Sequence, residues 1–120
     1  CEQRLSDPHL AQLVYSRVVD RLLRNGTTTA LYFGTIHREA CNVLARVCAR
    51  EGQRAFVGKV CMDRNGLNGY QESTEESMRE MRGFIDDIEA LGSPLIKAAI
   101  TPRFIPTCSP SLLRGLGDLA

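Results

Sequence analysis

Three times along this chain a short β-branched or aromatic run gives way to an amphipathic helical pattern, and the whole sequence has only 120 residues. Strands that alternate with helices imply parallel neighbours joined by right-handed crossovers. The spacing predicts a helix over 8–24, capped by Asp7, with Pro8 in its first turn and Asn25-Gly26 as its stop. Leu10, Leu13, Val14, Val18 and Leu22 would form its apolar stripe. The first strand is expected over 28–33, where the run does not alternate, as suits a strand covered on both faces. A helix over 38–51 follows, with Ala40, Val43, Leu44 and Val47 buried and Gly52 ending it, then a strand over 54–60. After a turn-rich loop over 62–70, Ser73 and Glu76 read as a capping box for a helix running to about 90, with Met78, Met81, Ile85 and Ile88 inward. The third strand is expected over about 95–101, and Ser109-Pro110 opens a last helix with Leu112, Leu113, Leu116 and Leu119 as its stripe. A closed (β/α)8 barrel takes roughly 250 residues. The chain is therefore either a small open α/β domain or an arc of a barrel, and an arc would leave two sheet edges and one wall of its core bare.

Charge narrows the partners. Fifteen Lys and Arg stand against 14 Asp and Glu, without the basic excess that phosphate backbones select, so neither nucleic acid nor an anionic membrane is expected. No apolar run approaches the roughly 20 residues that span a bilayer. The five cysteines, Cys1, Cys41, Cys48, Cys61 and Cys108, are odd in number and form no CxxC pair. Cys41 and Cys48 fall on one helical face and read as small apolar fillers, which favours a reducing compartment, the cytosol. The start at Cys1-Glu2-Gln3-Arg4, with neither Met nor an apolar signal core, and the end inside a helical pattern lead us to expect an internal piece of something longer.

Parallel topology puts all three post-strand loops on one side, the side where α/β proteins hold ligands. Those loops carry His37, then Asp63, Arg64 and Asn65, then Arg103, Phe104 and Cys108. Arg103 is the candidate ligand reader, because its planar fork of donors suits a fixed set of acceptors. Phe104 beside it is the one aromatic of that loop. Asp63 reads as a solvated turn residue, with support of a neighbouring site as its alternative. His37 and Cys41 stand one helical turn apart, but two ligands do not make a metal site and the other histidine, His9, lies on the first helix. The Gly-rich phosphate loops, the nucleophile elbow and the H-x-E with P-C-x-x-C deaminase pattern are all absent from the sequence.

Several runs together resemble a known family. They are Asn25-Gly26-Thr27-Thr28-Thr29-Ala30, Tyr32-Phe33, Thr35-Ile36-His37, the block from Gly52-Gln53-Arg54-Ala55-Phe56 through Val57-Gly58-Lys59-Val60-Cys61-Met62-Asp63, Thr74-Glu75-Glu76-Ser77 and Thr101-Pro102-Arg103-Phe104. The chain resembles the guanine deaminases of the metal-dependent amidohydrolase superfamily over essentially its whole length. The resemblance implies a partial (β/α)8 (TIM) barrel of about three consecutive βα units with a preceding helix, residues 1–120 forming one segment incomplete at both ends. It implies hydrolytic deamination of guanine to xanthine and ammonia by zinc-activated water in a full-length, cytoplasmic, homodimeric enzyme. It implies further that Arg103 and Phe104 contact the purine. The zinc ligands of that family, an H-x-H pair, two later histidines and an aspartate, have no counterpart here, nor has the general acid–base Glu. The expectation is therefore a pocket-forming segment, inactive alone, with no catalytic or metal residue of its own. A freestanding, non-catalytic α/β domain that binds a small molecule or a partner is the alternative.

Overall fold

The structure is a computed structural model, and it describes residues 2–120; the expectation for Cys1 lies outside the described residues. A 3₁₀ turn at Glu2–Ser6 leads into helix α1, Pro8–Arg24. Strand β1, Thr29–Phe33, helix α2, Arg38–Glu51, and strand β2, Arg54–Cys61, follow. Then come a 3₁₀ turn at Leu67–Gly69, helix α3, Thr74–Leu91, strand β3, Ile96–Pro102, a 3₁₀ turn at Ile105–Thr107 and helix α4, Pro110–Leu119. The helix starts fall at their capping residues. Asp7 accepts from the His9 N–H at 2.9 Å, Ser73 from Glu76 N–H at 3.1 Å and Ser109 from Leu112 N–H at 3.1 Å. Gly52 and Gly92 close α2 and α3 in the left-handed conformation, at φ of 79° and 64°.

The sheet has three parallel strands in the order β1-β2-β3, with Leu31 opposite Phe56 and Lys59 opposite Ile100. Its topology is that of consecutive units of a (β/α)8 barrel. The helices cover one sheet face. Ala55, Val57, Cys61 and Ile96 pack there with Leu44, Val47, Met81, Phe84, Leu112 and Leu116 in a single core. The opposite face is open: Leu31 is 60% and Phe33 56% exposed, and Phe56 beside them is exposed too. In a closed barrel this face lines the interior. At its rim side β2 and β3 approach closely. A Cβ on Gly58 would lie 2.3 Å from both Cγ2 and Oγ1 of Thr101, while the Thr101 hydroxyl donates to the Lys59 carbonyl at 2.9 Å.

One expectation about a helix face needs correction, and a second is borne out and extended. Along α1 the buried residues are Ala11, Tyr15 and Val19, while Leu13 and Val18 are exposed. Apolar side chains cover two adjacent faces of α1, and periodicity does not say which one meets α2. Small Ala11 turned inward lets the two helices lie close. Along α3 the buried face adds Phe84 and Ser77 to Met81 and Ile88, with Met78 and Ile85 at its margin.

Replacing Gly58 with Ala is expected to destabilise the protein by about 1–3 kcal/mol, since Thr101 must shift to admit the methyl group. The midpoint and slope of urea unfolding measure it.

Candidate functional site

The strand ends are built by extending the ladders into the loops. Gly34 N–H donates to Gly58 O at 2.9 Å, Val60 N–H to Thr35 O at 3.0 Å and Arg103 N–H to Cys61 O at 3.1 Å. Pro102 has no N–H and closes β3, so the bond from Arg103 fixes where the guanidinium leaves the sheet. The long loop after β2 returns to the same place, with Glu72 N–H donating to Met62 O at 3.1 Å. Ile36, Val60, Met62 and Tyr70 pack beneath these loops as a second small core.

A hollow of about 340 Å³ opens over this core, walled by Glu2, Met62, Tyr70, Arg103, Phe104 and Thr107 among others. The Arg103 side chain is 36% exposed. Its Nη1 donates to Glu2 Oε2 at 3.3 Å and contacts Met62 Sδ at 3.8 Å. Among the described residues its Nε and Nη2 have no hydrogen-bond partner. Its Cζ lies 5.9 Å from the Tyr70 ring centre and 6.0 Å from that of Phe104, the outer range of cation–π attraction. The Phe104 carbonyl accepts both the N–H and the hydroxyl of Thr107 at 3.0 Å, so both of its lone pairs are engaged. What Phe104 offers a ligand is its exposed ring or its N–H.

His37 stands on the same rim, its ring edge-on to Tyr70 at 6.0 Å. It occupies the cap position of α2 without capping it, and its Nε2 is buried without a partner. Burial first, then the charge of Lys59, lowers its pKa and keeps the imidazole neutral. The remaining loop residues brace the rim. Arg64 Nη2 donates to Ile105 O at 3.2 Å and Asn65 Nδ2 to Pro106 O at 2.5 Å. Cys108 lies in the main core, its thiol donating to Cys61 O at 3.4 Å, and does not reach the hollow.

Asp63 is not the solvated turn residue expected. Its carboxylate accepts from Ser109 N–H at 2.7 Å, from the Ser109 hydroxyl and from the Thr74 hydroxyl at 2.6 Å. It thus joins the starts of α3 and α4 to the end of β2, where both helix dipoles favour its charge. Burial pushes its pKa up, but the bonds from Ser109 and Thr74 outweigh this and hold it below the ordinary range.

Sequence reasoning passed over Lys59, Glu72, Glu2, Met62 and Tyr70 as site residues. Lys59 is fully buried behind β2, and its Nζ donates to Glu72 Oε2 at 2.6 Å and to Val60 O at 3.3 Å. A lone Lys inside Val57-Gly58-Lys59-Val60-Cys61 was a legible sign of a buried partner, because an unpaired charge there is prohibitive. Burial raises the Glu72 pKa, with Lys59 opposing. Tyr70 is held by its phenol oxygen, which accepts from Ile36 N–H at 3.1 Å.

Zinc, implied by the resemblance, does not fit the side chains of the described residues. Asp63 is tied up by three hydrogen bonds to the starts of α3 and α4. The Cys41 thiol donates to Thr35 O at 3.4 Å, and burial pushes it up to about 11, far from a thiolate ligand. Among the described residues no group of three or more His, Cys, Asp or Glu is placed to hold a metal ion. Nor, among them, is any helix long and apolar enough to cross a membrane.

Asp63→Asn is expected to flatten the acid limb of the stability curve. The folded carboxyl titrates below its ordinary value of 3.8, so its contribution is complete above that pH and is lost as pH falls through the lowered value. Urea midpoints measured between about pH 5 and pH 2 check this. Lys59→Met, which strands the Glu72 carboxylate, is expected to cost about 3–5 kcal/mol, and adding Glu72→Met to recover most of it; chemical denaturation of the three proteins decides.

The comparisons with known proteins agree with this geometry. The model of the amidohydrolase family matches residues 1–120. The guanine deaminase of Dictyostelium discoideum is 48% identical over 119 residues, covering 99% of this chain and 26% of that protein. That of Mus musculus is 48% identical over 120 residues, with the same coverage. Among solved structures, guanine deaminase from C. acetobutylicum with bound guanine in the active site matches at a TM-score of 0.93 and 34% identity, covering 98% of this chain and 28% of that one. E. coli guanine deaminase matches at 0.90 and 36%, covering 98% and 27%. The chain thus spans about a quarter of the length of these relatives. With three parallel βα units and a family match from end to end, the chain belongs to the amidohydrolase family, and its likeness within that family runs to the guanine deaminases.

Proposed function

We propose that this chain is an arc of a guanine deaminase, an enzyme that hydrolyses guanine to xanthine and ammonia, and that it supplies part of the wall that grips the base. One observation carries the reading. The strand-end hollow is walled by Arg103 and Phe104, in a fold that superposes on a relative holding guanine in its active site. Guanine presents two adjacent acceptors, its carbonyl oxygen and a ring nitrogen, which a guanidinium edge matches bidentately. The Nε and Nη2 of Arg103, which have no hydrogen-bond partner among the described residues, form such an edge. The Phe104 ring gives the apolar face of the base a surface to pack on.

The open sheet face supports the arc over a freestanding domain. Leu31, Phe33 and Phe56 lie together on the side that a barrel would enclose, and an independent domain of this size would cover them. The relatives' greater length supplies the chain that would do so. The metal centre of the reaction belongs on this reading to strands other than β1, β2 and β3, and the role left to these residues is to bind and orient the base.

The test is made in the full-length enzyme carrying this chain. Arg103→Ala should raise KM for guanine roughly tenfold or more, the scale of a lost hydrogen bond to a charged group, with zinc content unchanged. Loss of zinc in the variant would instead assign Arg103 to the metal's support. In parallel, the 120-residue chain alone, given zinc and guanine, should form no xanthine; turnover by it would overturn the assignment of the metal centre to other strands.

A further inference from the structure

The guanidinium of Arg103 is held from two sides by the protein itself. Glu2, from the 3₁₀ turn that precedes α1, reaches across 101 sequence positions to bond Nη1 at 3.3 Å. Tyr70, from the loop after β2, lies under the guanidinium carbon at 5.9 Å and is itself fixed by the Ile36 N–H. An unrestrained arginine side chain samples many rotamers, and ordering it on binding costs free energy that a pre-held one has already met. The bond from Glu2 also falls on one terminal nitrogen, which leaves the Nε and Nη2 edge whole.

We propose that Glu2 is a positioning residue: its carboxylate holds one arm of Arg103 against Tyr70, so that the free guanidinium edge is presented to the paired acceptors of a purine. This rests on the reading of Arg103 as a contact to the base. Glu2 also lines the hollow, and there its charge balances the guanidinium, so that a neutral base enters a site with little net charge. Tyr70 contributes as a backing surface. Its phenol is kept protonated first by burial and then, against the bond from Ile36, by the neighbouring Glu2 carboxylate.

A double-mutant cycle in the full-length enzyme tests the proposal. The Glu2 side chain is 47% exposed, so replacing it should leave the folded structure intact. Glu2→Gln should raise KM for guanine roughly two- to fivefold, the range of a half-exposed ion pair, with kcat, zinc content and thermal midpoint unchanged. Glu2→Asp should restore part of the loss. On an Arg103→Ala background, Glu2→Gln should add nothing, because a residue that acts through Arg103 has nothing left to act on. An equal effect of Glu2→Gln on both backgrounds would overturn the proposal and make Glu2 an independent contact, as would a silent Glu2→Gln beside an impaired Arg103→Ala. A fall in kcat, zinc content or thermal midpoint with Glu2→Gln would likewise overturn it and mark a general structural role. If Arg103→Ala is itself silent, the reading of Arg103 fails first and this proposal with it, an outcome distinct from the others.

Discussion

The register of β2 against its two neighbours is the constraint on which the rim depends. Parallel pairing sends all three strands out of the sheet on one side, and the ladder bonds do not stop at the last strand residues. They continue through Gly34, Val60 and Arg103, so that each loop begins from a fixed height. A slip of one residue would turn Lys59 from the helix-covered face to the open one and lift Arg103 away from the hollow. The close approach of Gly58 to Thr101 guards against that slip, since only a residue without a side chain fits there.

Two polar devices then hold the long loop after β2. At its start Asp63 gathers donors from the first turns of two helices; at its end Glu72 is fastened to the fully buried Lys59. Between these anchors the loop is tied to the turn after β3 by Arg64 and Asn65, and Asn65 and Asn68 take positive φ, a conformation asparagine tolerates better than most residues. The result is a Tyr70 placed firmly enough to serve as a floor. A buried ion pair is a poor source of stability compared with apolar packing, and its use here is better understood as fixing position.

What was legible in the sequence was local. The capping of α1, α3 and α4 by Asp7, Ser73 and Ser109 rests on contacts two or three residues away, and these starts were read correctly. The strand positions came within a residue or so, because β-branched runs between turn formers are themselves local signals. The three 3₁₀ turns were not read, since their short spans carry no periodicity. The inward face of α1 was misjudged because α2 chooses it, and α2 is a tertiary neighbour. Arg103 and Phe104 stood out through their place after a strand and through resemblance. The side chains that surround Arg103 did not: Glu2 and Tyr70 lie far away along the chain, and only the fold brings them together.

The buried thiols have a chemical consequence. Cys41 and Cys48 are both pushed up to about 11 by burial, and all four described cysteines are free and enclosed. Alkylating agents and peroxide attack the thiolate, which at neutral pH is nearly absent from Cys41 and Cys48. The folded protein should therefore resist iodoacetamide and mild oxidants at Cys41 and Cys48, and labelling of these two would report local opening of the helix layer.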